Sequence, residues 1–244
     1  MAKMIHIENL WKSYDSLEVL KGLNLDVDKG ETMVILGRSG VGKSVLLRLI
    51  IGLEQPDKGK VEFGEEIKAG RVGMLFQASA LFDSLSIEDN TGFYLNHHPD
   101  PRTGKWLSTK EIRERVDWAL ECVDLAGVQK KMPADLSGGM RKRAALARVI
   151  AYKPAIVLYD EPTAGLDPIT AMQINDVIKR AQKDIDATSI VVTHDLRSAL
   201  EVGDRVALHS EGVIKHVAAR DDFFAIEDPL IQQFFSKAKI YKTL

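Results

Sequence analysis

The chain has 244 residues, of which 45% are hydrophobic and 28% are charged, and it carries a formal net charge of -2 and a single cysteine. This length allows one large α/β domain with a substantial core, while the small net charge gives no bulk electrostatic reason to expect nucleic acid as a partner. A single cysteine excludes an intramolecular disulfide, and no apolar run is long enough to span a membrane, so we expect a cytoplasmic protein that meets a membrane only through a partner.

The N-terminal part of the chain predicts an antiparallel β edge. Residues 5–10 and 17–27 mix apolar–polar alternation with polar turns. Further on, short runs rich in Val, Ile and Leu alternate with helical patterns, which indicates an α/β fold with a largely parallel sheet covered on both faces. The predicted strands of this sheet are residues 33–36, 72–76, 156–159, 189–193 and 205–209.

The middle of the chain has a different pattern. Between residues 84 and 151 the strand signal is absent, and Ser108 and Glu111 have the spacing of a capping box before a run with helical periodicity. We predict a helical subdomain at about 84–151 that is inserted into the α/β core of a single domain, residues 1–244. The tail at about 229–244 is predicted to begin as a short amphipathic helix.

A glycine-rich segment follows the predicted strand at 33–36. Gly37-Arg38-Ser39-Gly40-Val41-Gly42-Lys43-Ser44 fits G-x-x-x-x-G-K-[ST] and opens a helical run, which is the context of a P-loop rather than of a glycine-rich turn with an exposed lysine. Its glycines let backbone N–H groups approach phosphate, and the helix N-terminus adds partial positive charge. Lys43 would contact the β- and γ-phosphates of a nucleotide, and Ser44 would offer its hydroxyl to Mg²⁺.

The apolar run from Ala155 onward ends in two carboxylates, Asp160 and Glu161. A buried parallel strand delivers such residues to the carboxyl edge of the sheet, where ligands bind in open α/β folds. Asp160 can hold Mg²⁺ through water, and Glu161 can orient and polarise the attacking water. The alternative is a solvated pair of loop carboxylates, which the P-loop upstream disfavours.

Kinases, GTPases and helicases also combine a P-loop with an acidic strand end, and three further features narrow the choice. Leu136-Ser137-Gly138-Gly139-Met140 precedes a basic triplet and an apolar helix, and so predicts a second helix N-terminus suited to phosphate. One copy with one nucleotide has no use for two such sites, whereas two copies arranged head to tail do. Asp167 lies in the segment Gly165-Leu166-Asp167-Pro168, and His194 directly follows a predicted strand, where it could face the γ-phosphate.

This ordered set of motifs resembles the ATP-binding subunit of ABC transporters over nearly the whole chain. The resemblance implies a P-loop NTPase fold, in which a RecA-like core with an antiparallel β edge carries an inserted α-helical subdomain. It also implies ATP and Mg²⁺ as cofactors. The implied catalytic residues are Lys43, Glu161 and His194, the metal ligands are Ser44, Gln77 and Asp160, and the nucleotide-binding set is Tyr14, Gly37, Ser39, Gly40, Val41, Gly42, Lys43, Ser44, Val45, Gln77, Ser137, Gly138, Gly139 and Asp167.

Some of these roles come from the resemblance alone. It assigns Tyr14 as the aromatic residue that stacks on adenine, although the local pattern favours an aromatic that packs in a turn. It also assigns Gln77 to a loop that faces the permease. Met140 stands where the usual signature has Gln, and we expect activity to survive because Ser137 and the glycine backbone would make the phosphate contacts.

Softer matches, at residues 42–47, 74–82, 137–143 and 228–234, resemble the Mce/Mla-type ATPases of bacterial envelope phospholipid trafficking, although Ser236 replaces a frequent glycine. This branch implies a second copy of the chain in an ATP sandwich, a permease on a separate chain, an envelope lipid-binding protein and a small regulatory subunit as partners. It implies no nucleic acid. The chain would be peripheral on the inner face of the bacterial cytoplasmic membrane.

Three alternatives stay open at this point. An ABC importer of amino acids or other small solutes would share every catalytic motif. A soluble ABC protein of translation or repair is disfavoured because the chain has one nucleotide domain and no long coiled-coil insertion. A non-hydrolysing binding module is disfavoured by the presence of Lys43, Glu161 and His194.

An apolar surface loop is predicted at residues 78–86, where Leu81, Phe82 and Leu85 lie close together. Packing between subdomains accounts for part of this composition. A permease helix that enters a groove at the loop would account for the rest, because exposed apolar patches often mark partner sites.

Overall fold

A computed structural model describes residues 2–64 and 71–238, and the chain divides into two compact units. The first unit joins residues 1–66 to residues 188–244, and the second comprises residues 67–187. The predicted helical subdomain falls inside the second unit, and its exact bounds stay a prediction.

The elements are numbered in chain order across both units. The strands are β1 (Lys3–Tyr14), β2 (Leu17–Asp28), β3 (Thr32–Leu36), β4 (Lys58–Phe63), β5 (Val72–Leu75), β6 (Ile156–Asp160), β7 (Thr188–Thr193), β8 (Arg205–Ser210) and β9 (Val213–Ala219). The helices are α1 (Lys43–Ile51), α2 (Ile87–His97), α3 (Thr109–Cys122), α4 (Gly138–Ile150), α5 (Pro168–Ile185), α6 (Leu196–Val202) and α7 (Pro229–Ala238), with short 3-10 turns at Pro133–Asp135 and Phe223–Ala225.

The predicted antiparallel edge forms a three-stranded sheet of its own in the first unit, in the order β2-β1-β4. Ile7 of β1 pairs with Leu25 of β2 on one side and with Val61 of β4 on the other. Ile7 and Leu25 are buried, whereas β4 exposes its lysines and Glu62 and covers its apolar side chains only in part. This weak alternation explains why β4 was missing from the predicted strands.

The second sheet of the first unit supports the P-loop. Strand β3 lies between β7 and β8 and is parallel to both, and β9 pairs antiparallel with β8. Every residue of β3 and β7 is buried, as predicted for strands that are covered on both faces. Strand β9 was not predicted, because exposed residues alternate with half-buried ones along it.

The second unit contains the parallel pair β5 and β6 and the helices α2 to α5. Within residues 84–151, all of which are described, the structure shows helices and no strand, which confirms the predicted change of pattern. The capping box of α3 is confirmed: Ser108 Oγ accepts from Glu111 N, and Glu111 Oε2 accepts from Ser108 N at 2.7 Å.

The predicted amphipathic helix near the C-terminus is α7, which packs through the buried side chains of Ile231 and Phe235. Asp228 begins the helix, because its Oδ1 accepts from Leu230 N at 2.7 Å. On the exposed side, Gln233 Oε1 accepts a hydrogen bond of 2.6 Å from the Arg38 guanidinium in the P-loop. The last part of the predicted tail, residues 239–244, lies outside the described residues.

Over the described ranges, we find no helix whose length and apolar character would suffice to cross a membrane.

Candidate nucleotide-binding and catalytic site

The P-loop has the backbone that its glycines predict. Gly42 is the N-cap of α1 and adopts φ 102°, in the left-handed region that favours glycine. A Cβ at this position would lie 2.5 Å from the Val19 Cγ1 atom, so space as well as conformation requires glycine. The first turn of α1 contains no acidic residue, and its backbone N–H groups therefore form an uncompensated positive end suited to phosphate.

Lys43, the first residue of α1, is buried in this loop. Its Nζ donates to the backbone carbonyls of Gly37 at 2.8 Å and Arg38 at 2.9 Å. The ammonium charge is therefore held inside the ring of backbone that the P-loop forms. Ser44 follows at the second position of α1 and is half-buried.

His194 lies beside the start of the P-loop. Strands β3 and β7 end together, with Leu36 opposite Thr193, and Gly37 N donates to Thr193 O at 3.2 Å. His194 is the next residue and is exposed, while Asp195 caps α6 by accepting from Arg197 N at 3.0 Å. The parallel register thus brings the predicted catalytic histidine next to the phosphate-binding loop.

Tyr14 is the last residue of β1, rather than part of a turn as its local pattern suggested. Its side chain is 39% exposed, and its hydroxyl donates to Glu54. Lys12 Nζ lies 5.5 Å from the centroid of the ring. An exposed aromatic face held by its hydroxyl suits a platform for a planar base.

Sequence reasoning missed His209, which lies at the end of β8 beneath the P-loop. A Cβ placed on Gly37 would come within 2.7 Å of the His209 carbonyl oxygen. The imidazole is completely buried, and neither ring nitrogen has a hydrogen-bond partner within the described part of the chain. Burial, with a smaller contribution from the charge of Lys43, lowers the pKa of His209 to about 4.

In the second unit, the predicted Asp160 is the last residue of β6, Glu161 follows it directly, and Gln77 lies two residues after the end of β5. Strands β5 and β6 are parallel with Leu75 opposite Tyr159, so the residues after them meet at one edge of the pair. Asp160 and Glu161 are both buried, whereas Gln77 is exposed. Glu161 adopts φ 46°, a left-handed backbone that is costly for a residue other than glycine and that tends to occur at functional sites.

The signature segment forms the exposed N-terminus of α4. Ser137 is the N-cap, and its Oγ accepts from Met140 N at 3.3 Å. Ser137 and Gly138 are exposed, and the first turn contains no acidic residue. Met140 contributes its backbone N–H to the cap, so the unusual residue at this position leaves the cap intact.

Lys142, which the sequence presented only as part of a basic triplet, is buried. Its Nζ donates to the carbonyls of Pro162 at 2.9 Å and Ala164 at 2.6 Å. Burial lowers the pKa of Lys142, and the negative charge of Glu161 opposes this shift. The lysine therefore ties α4 to the segment that follows β6 and carries Glu161.

Asp167 caps α5, the helix after this segment. Its Oδ1 accepts from Ile169 N at 3.1 Å and Thr170 N at 3.0 Å, and its Oδ2 accepts from Thr170 Oγ1 at 2.5 Å. The side-chain hydrogen bond from Thr170 is the largest of the effects that lower the pKa of Asp167. In this structure the Asp167 carboxylate thus acts as the N-cap of α5.

The predicted residues form two groups, one in each unit. The first unit contains the P-loop, His194 and Tyr14, and the second contains Gln77, the two carboxylates, the signature segment and Asp167. Across residues 2–64 and 71–238, no group of three or more His, Cys, Asp or Glu side chains could hold a metal ion. Ser44 in the first unit and Gln77 and Asp160 in the second carry oxygen donors, the type of ligand that Mg²⁺ prefers, so the chemistry of each fits the predicted role as a metal ligand.

Comparison with known sequences identifies relatives over most of the chain. Residues 20–164 match the ABC transporter family. A sulfate/thiosulfate import ATP-binding protein of Pseudomonas putida is 38% identical over 90% of this chain and 68% of its own length. The Arabidopsis thaliana protein TRIGALACTOSYLDIACYLGLYCEROL 3, chloroplastic, is 36% identical over 95% of this chain and 73% of its own length. The chain spans about two thirds of the length of the sulfate/thiosulfate relatives.

Solved structures show the same architecture. The cbiO1 protein of Clostridium perfringens, part of an ABC transporter complex, matches with a TM-score of 0.81 and 30% identity over 98% of this chain and 97% of its own. A dimeric ATP-binding cassette, MJ0796 with ADP and Pi, matches with a TM-score of 0.77 and 29% identity over 89% of this chain and 99% of its own.

The comparisons do not specifically support the Mce/Mla branch that the softer motifs predicted, because several relatives are sulfate/thiosulfate import proteins. The family match and the likeness to solved structures both support the ABC transporter family. The chain has the ABC ATPase fold, belongs to the ABC transporter family of ATP-binding proteins, and is an ATPase of that family.

Proposed function

We propose that the chain hydrolyses ATP between two copies of itself and so drives a separate membrane permease. The observation that carries the proposal is the exposed N-terminus of α4 at Ser137, which has no acidic residue in its first turn. The chain already has a phosphate-binding helix N-terminus at its P-loop, so a second one is suited to the nucleotide of another copy. The dimeric state of MJ0796 supports this arrangement.

In the proposed reaction, the chain acts mainly by positioning groups and by stabilising charge. The N–H groups of the P-loop and the ammonium of Lys43 bind the phosphates. Glu161 orients the attacking water and accepts its proton, and His194 donates to the γ-phosphate. Mg²⁺, held by Ser44, Gln77 and Asp160, would neutralise phosphate charge. Closure on ATP and opening after hydrolysis would then be a shift between two states of the dimer.

The two-copy arrangement is tested by Ser137→Arg in a Glu161→Gln background, which retains ATP. Glu161→Gln alone should form an ATP-dependent dimer in analytical ultracentrifugation, and the double variant should stay monomeric with nearly unchanged ATP affinity. Ser108→Arg is the matched control, because Ser108 is also an exposed N-cap in the same unit but belongs to α3. If Ser137→Arg lowers ATP affinity in the monomer, Ser137 acts within its own chain and the proposal is wrong.

The permease is proposed to dock at the loop around Phe82. The Phe82 side chain is 42% exposed and packs its ring 4.6 Å from that of Phe93, with the Arg148 guanidinium 5.5 Å away. Buried Asn90 holds the loop by accepting from Phe82 N at 2.8 Å and donating to the carbonyls of Phe82 and Leu85 at 3.0 Å. The hydrogen bonds therefore fix the conformation of the loop, and the Phe82 side chain remains partly exposed to solvent.

Co-purification with the permease tests this docking site. Phe82→Glu should abolish the complex and leave the melting temperature and ATP affinity nearly unchanged. Trp106→Glu is the control, because Trp106 is an exposed aromatic residue of the same unit outside the loop. A normal complex with Phe82→Glu would exclude the docking role, and a large fall in melting temperature would assign Phe82 to the core instead.

For the cargo, we propose a small solute taken up by an importer, as the names of the sulfate/thiosulfate relatives suggest. Envelope lipid is the second candidate, favoured by the softer motifs and by a relative that carries a galactolipid name. ATP hydrolysis by the complex with its permease should rise with sulfate or thiosulfate in the first case. In the second case, ATP hydrolysis should rise with phospholipid. An envelope lipid-binding protein and a small regulatory subunit should then co-purify with the complex, and the chain should be found at the inner face of the membrane.

A further inference from the structure

The end of β1 is attached to the segment that follows the P-loop helix. Asp57 N donates to Trp11 O at 2.9 Å, Ser13 N donates to Asp57 Oδ2 at 2.7 Å, and Lys12 Nζ donates to Gln55 O at 2.8 Å. These contacts bind residues 11–13 to the backbone after α1. They leave the aromatic side chain of the next residue, Tyr14, to be oriented by its own contacts.

Glu54 provides the contact that orients Tyr14. Its Oε2 accepts the hydrogen bond from the Tyr14 hydroxyl, and its Oε1 accepts one of 2.5 Å from Arg48 Nε. The two oxygens therefore serve different partners, so rotation of the carboxylate would break at least one bond. The Tyr14 hydrogen bond is the largest effect on the pKa of Glu54 and, with the charge of Arg48, lowers it, which keeps the carboxylate ionised.

Arg48 connects this contact to the phosphate site. It lies in the last turn of α1, the helix that begins with Lys43 at the P-loop. A chain of side chains, from Arg48 through Glu54 to Tyr14, thus links the helix that binds phosphate to the aromatic residue proposed to bind the base. A rigid link of this kind fixes two parts of one ligand site relative to each other.

We propose that Glu54 is a positioning residue for base recognition, which sets the orientation of Tyr14 relative to the P-loop helix so that a nucleoside triphosphate can engage both. This inference rests on the proposed role of Tyr14 as the platform for adenine. A platform whose orientation is set in advance loses less side-chain freedom on binding. Loss of Glu54 should therefore weaken ATP binding by about two- to tenfold, the range expected for one side chain that must be immobilised.

The test compares two ligands, ATP and inorganic tripolyphosphate, which has the phosphates but lacks the base. Glu54→Ala should raise the Kd of ATP about two- to tenfold and leave the Kd of tripolyphosphate unchanged. The KM for ATP should rise while kcat at saturation stays the same. Glu62→Ala, on exposed β4 of the same unit, is the matched control and should change neither Kd.

A double-variant cycle shows whether Glu54 acts through the tyrosine hydroxyl. Tyr14→Phe keeps the ring but removes the donor, so it should weaken ATP binding as Glu54→Ala does, and the two changes together should be no worse than either alone. Additive effects would overturn the inference. An equal loss of ATP and tripolyphosphate binding would also overturn it, because Glu54 would then only support the P-loop helix.

One further variant separates this inference from the platform role of Tyr14 on which it rests. If Tyr14→Ala leaves ATP affinity unchanged, the platform role of Tyr14 is wrong, and the inference falls with it. If Tyr14→Ala weakens ATP binding and Glu54→Ala does not, only the inference is wrong.

Discussion

Two buried lysines behave differently although each lies near the start of a helix that has glycine at its N-terminus. Lys43 of α1 donates to the carbonyls of its own P-loop, so its charge stays at the helix N-terminus. Lys142 of α4 lies one turn further along its helix and donates to Pro162 and Ala164, on a different segment. A lysine at the first position of its helix keeps its charge where phosphate can bind. A lysine one turn later instead connects its helix to another segment of the fold.

The largest effect is expected at Glu161, in the segment that Lys142 anchors. Glu161→Gln should bind ATP but hydrolyse it at least about a hundredfold more slowly, because the amide cannot accept the proton of the attacking water. Phosphate release under single-turnover conditions measures the rate, and ATP affinity is the control. Turnover close to that of the unmodified protein would remove Glu161 from the role of general base.

The next effect in size tests the first lysine as a ligand. Lys43→Met should weaken ATP binding by about tenfold to a hundredfold, because one or two charge-assisted hydrogen bonds to phosphate are lost. Its melting temperature should also fall, because the carbonyls of Gly37 and Arg38 lose their donor, so ATP affinity is the measurement that separates the two lysines. Isothermal titration calorimetry with ATP measures the affinity. A lower melting temperature with unchanged ATP affinity would make Lys43 a connector like Lys142.

The second lysine should affect stability without affecting ATP affinity. Lys142→Met leaves the carbonyls of Pro162 and Ala164 without their donor and should lower the free energy of unfolding by about 1–3 kcal/mol. ATP affinity of the monomer should stay the same, and hydrolysis should slow as the segment with Glu161 loosens. Denaturant unfolding measures the stability, with the exposed Lys110→Met as control. Unchanged stability would show that the connection contributes nothing.

The smallest effect at neutral pH concerns His209, below the loop that holds Lys43. The unfolded chain protonates this histidine below about pH 6.5, whereas the folded chain does so only near pH 4. The folded state therefore loses stability as the pH falls from about 6.5 to about 4, by up to about 3 kcal/mol. His209→Leu should abolish this loss and change stability by less than about 1 kcal/mol at pH 7.5. Unfolding curves across this pH range measure it, and an unchanged pH dependence would contradict the assignment.

The two lysines also show how far the sequence could predict the molecule. Motifs that specify local backbone, such as the P-loop with Lys43 and the cap at Ser108, were predicted correctly, because neighbouring residues determine them. The bonds from Lys142 to Pro162 and Ala164 span about twenty residues and follow no pattern, so the triplet looked like a solvated charge run.

Other features failed prediction for related reasons. The carboxylate of Glu54 looked like any surface acid until the fold brought Tyr14 and Arg48 to it. Strands β4 and β9 expose many of their side chains, so their sequences lack the apolar pattern that predicts a buried strand. The motifs identified the ATPase but carry no information on its cargo: the softer matches favoured lipid, whereas several relatives are sulfate/thiosulfate import proteins.

The left-handed backbone at Glu161 has a consequence for evolution and for engineering. Glycine or asparagine would adopt φ 46° at lower cost than glutamate, so selection for heat resistance alone favours replacing this residue. Selection for turnover favours keeping a carboxylate there if Glu161 has the proposed role of general base. A library screened only by melting temperature should therefore accumulate inactive proteins through this one position, and screening must include ATP hydrolysis from the first round.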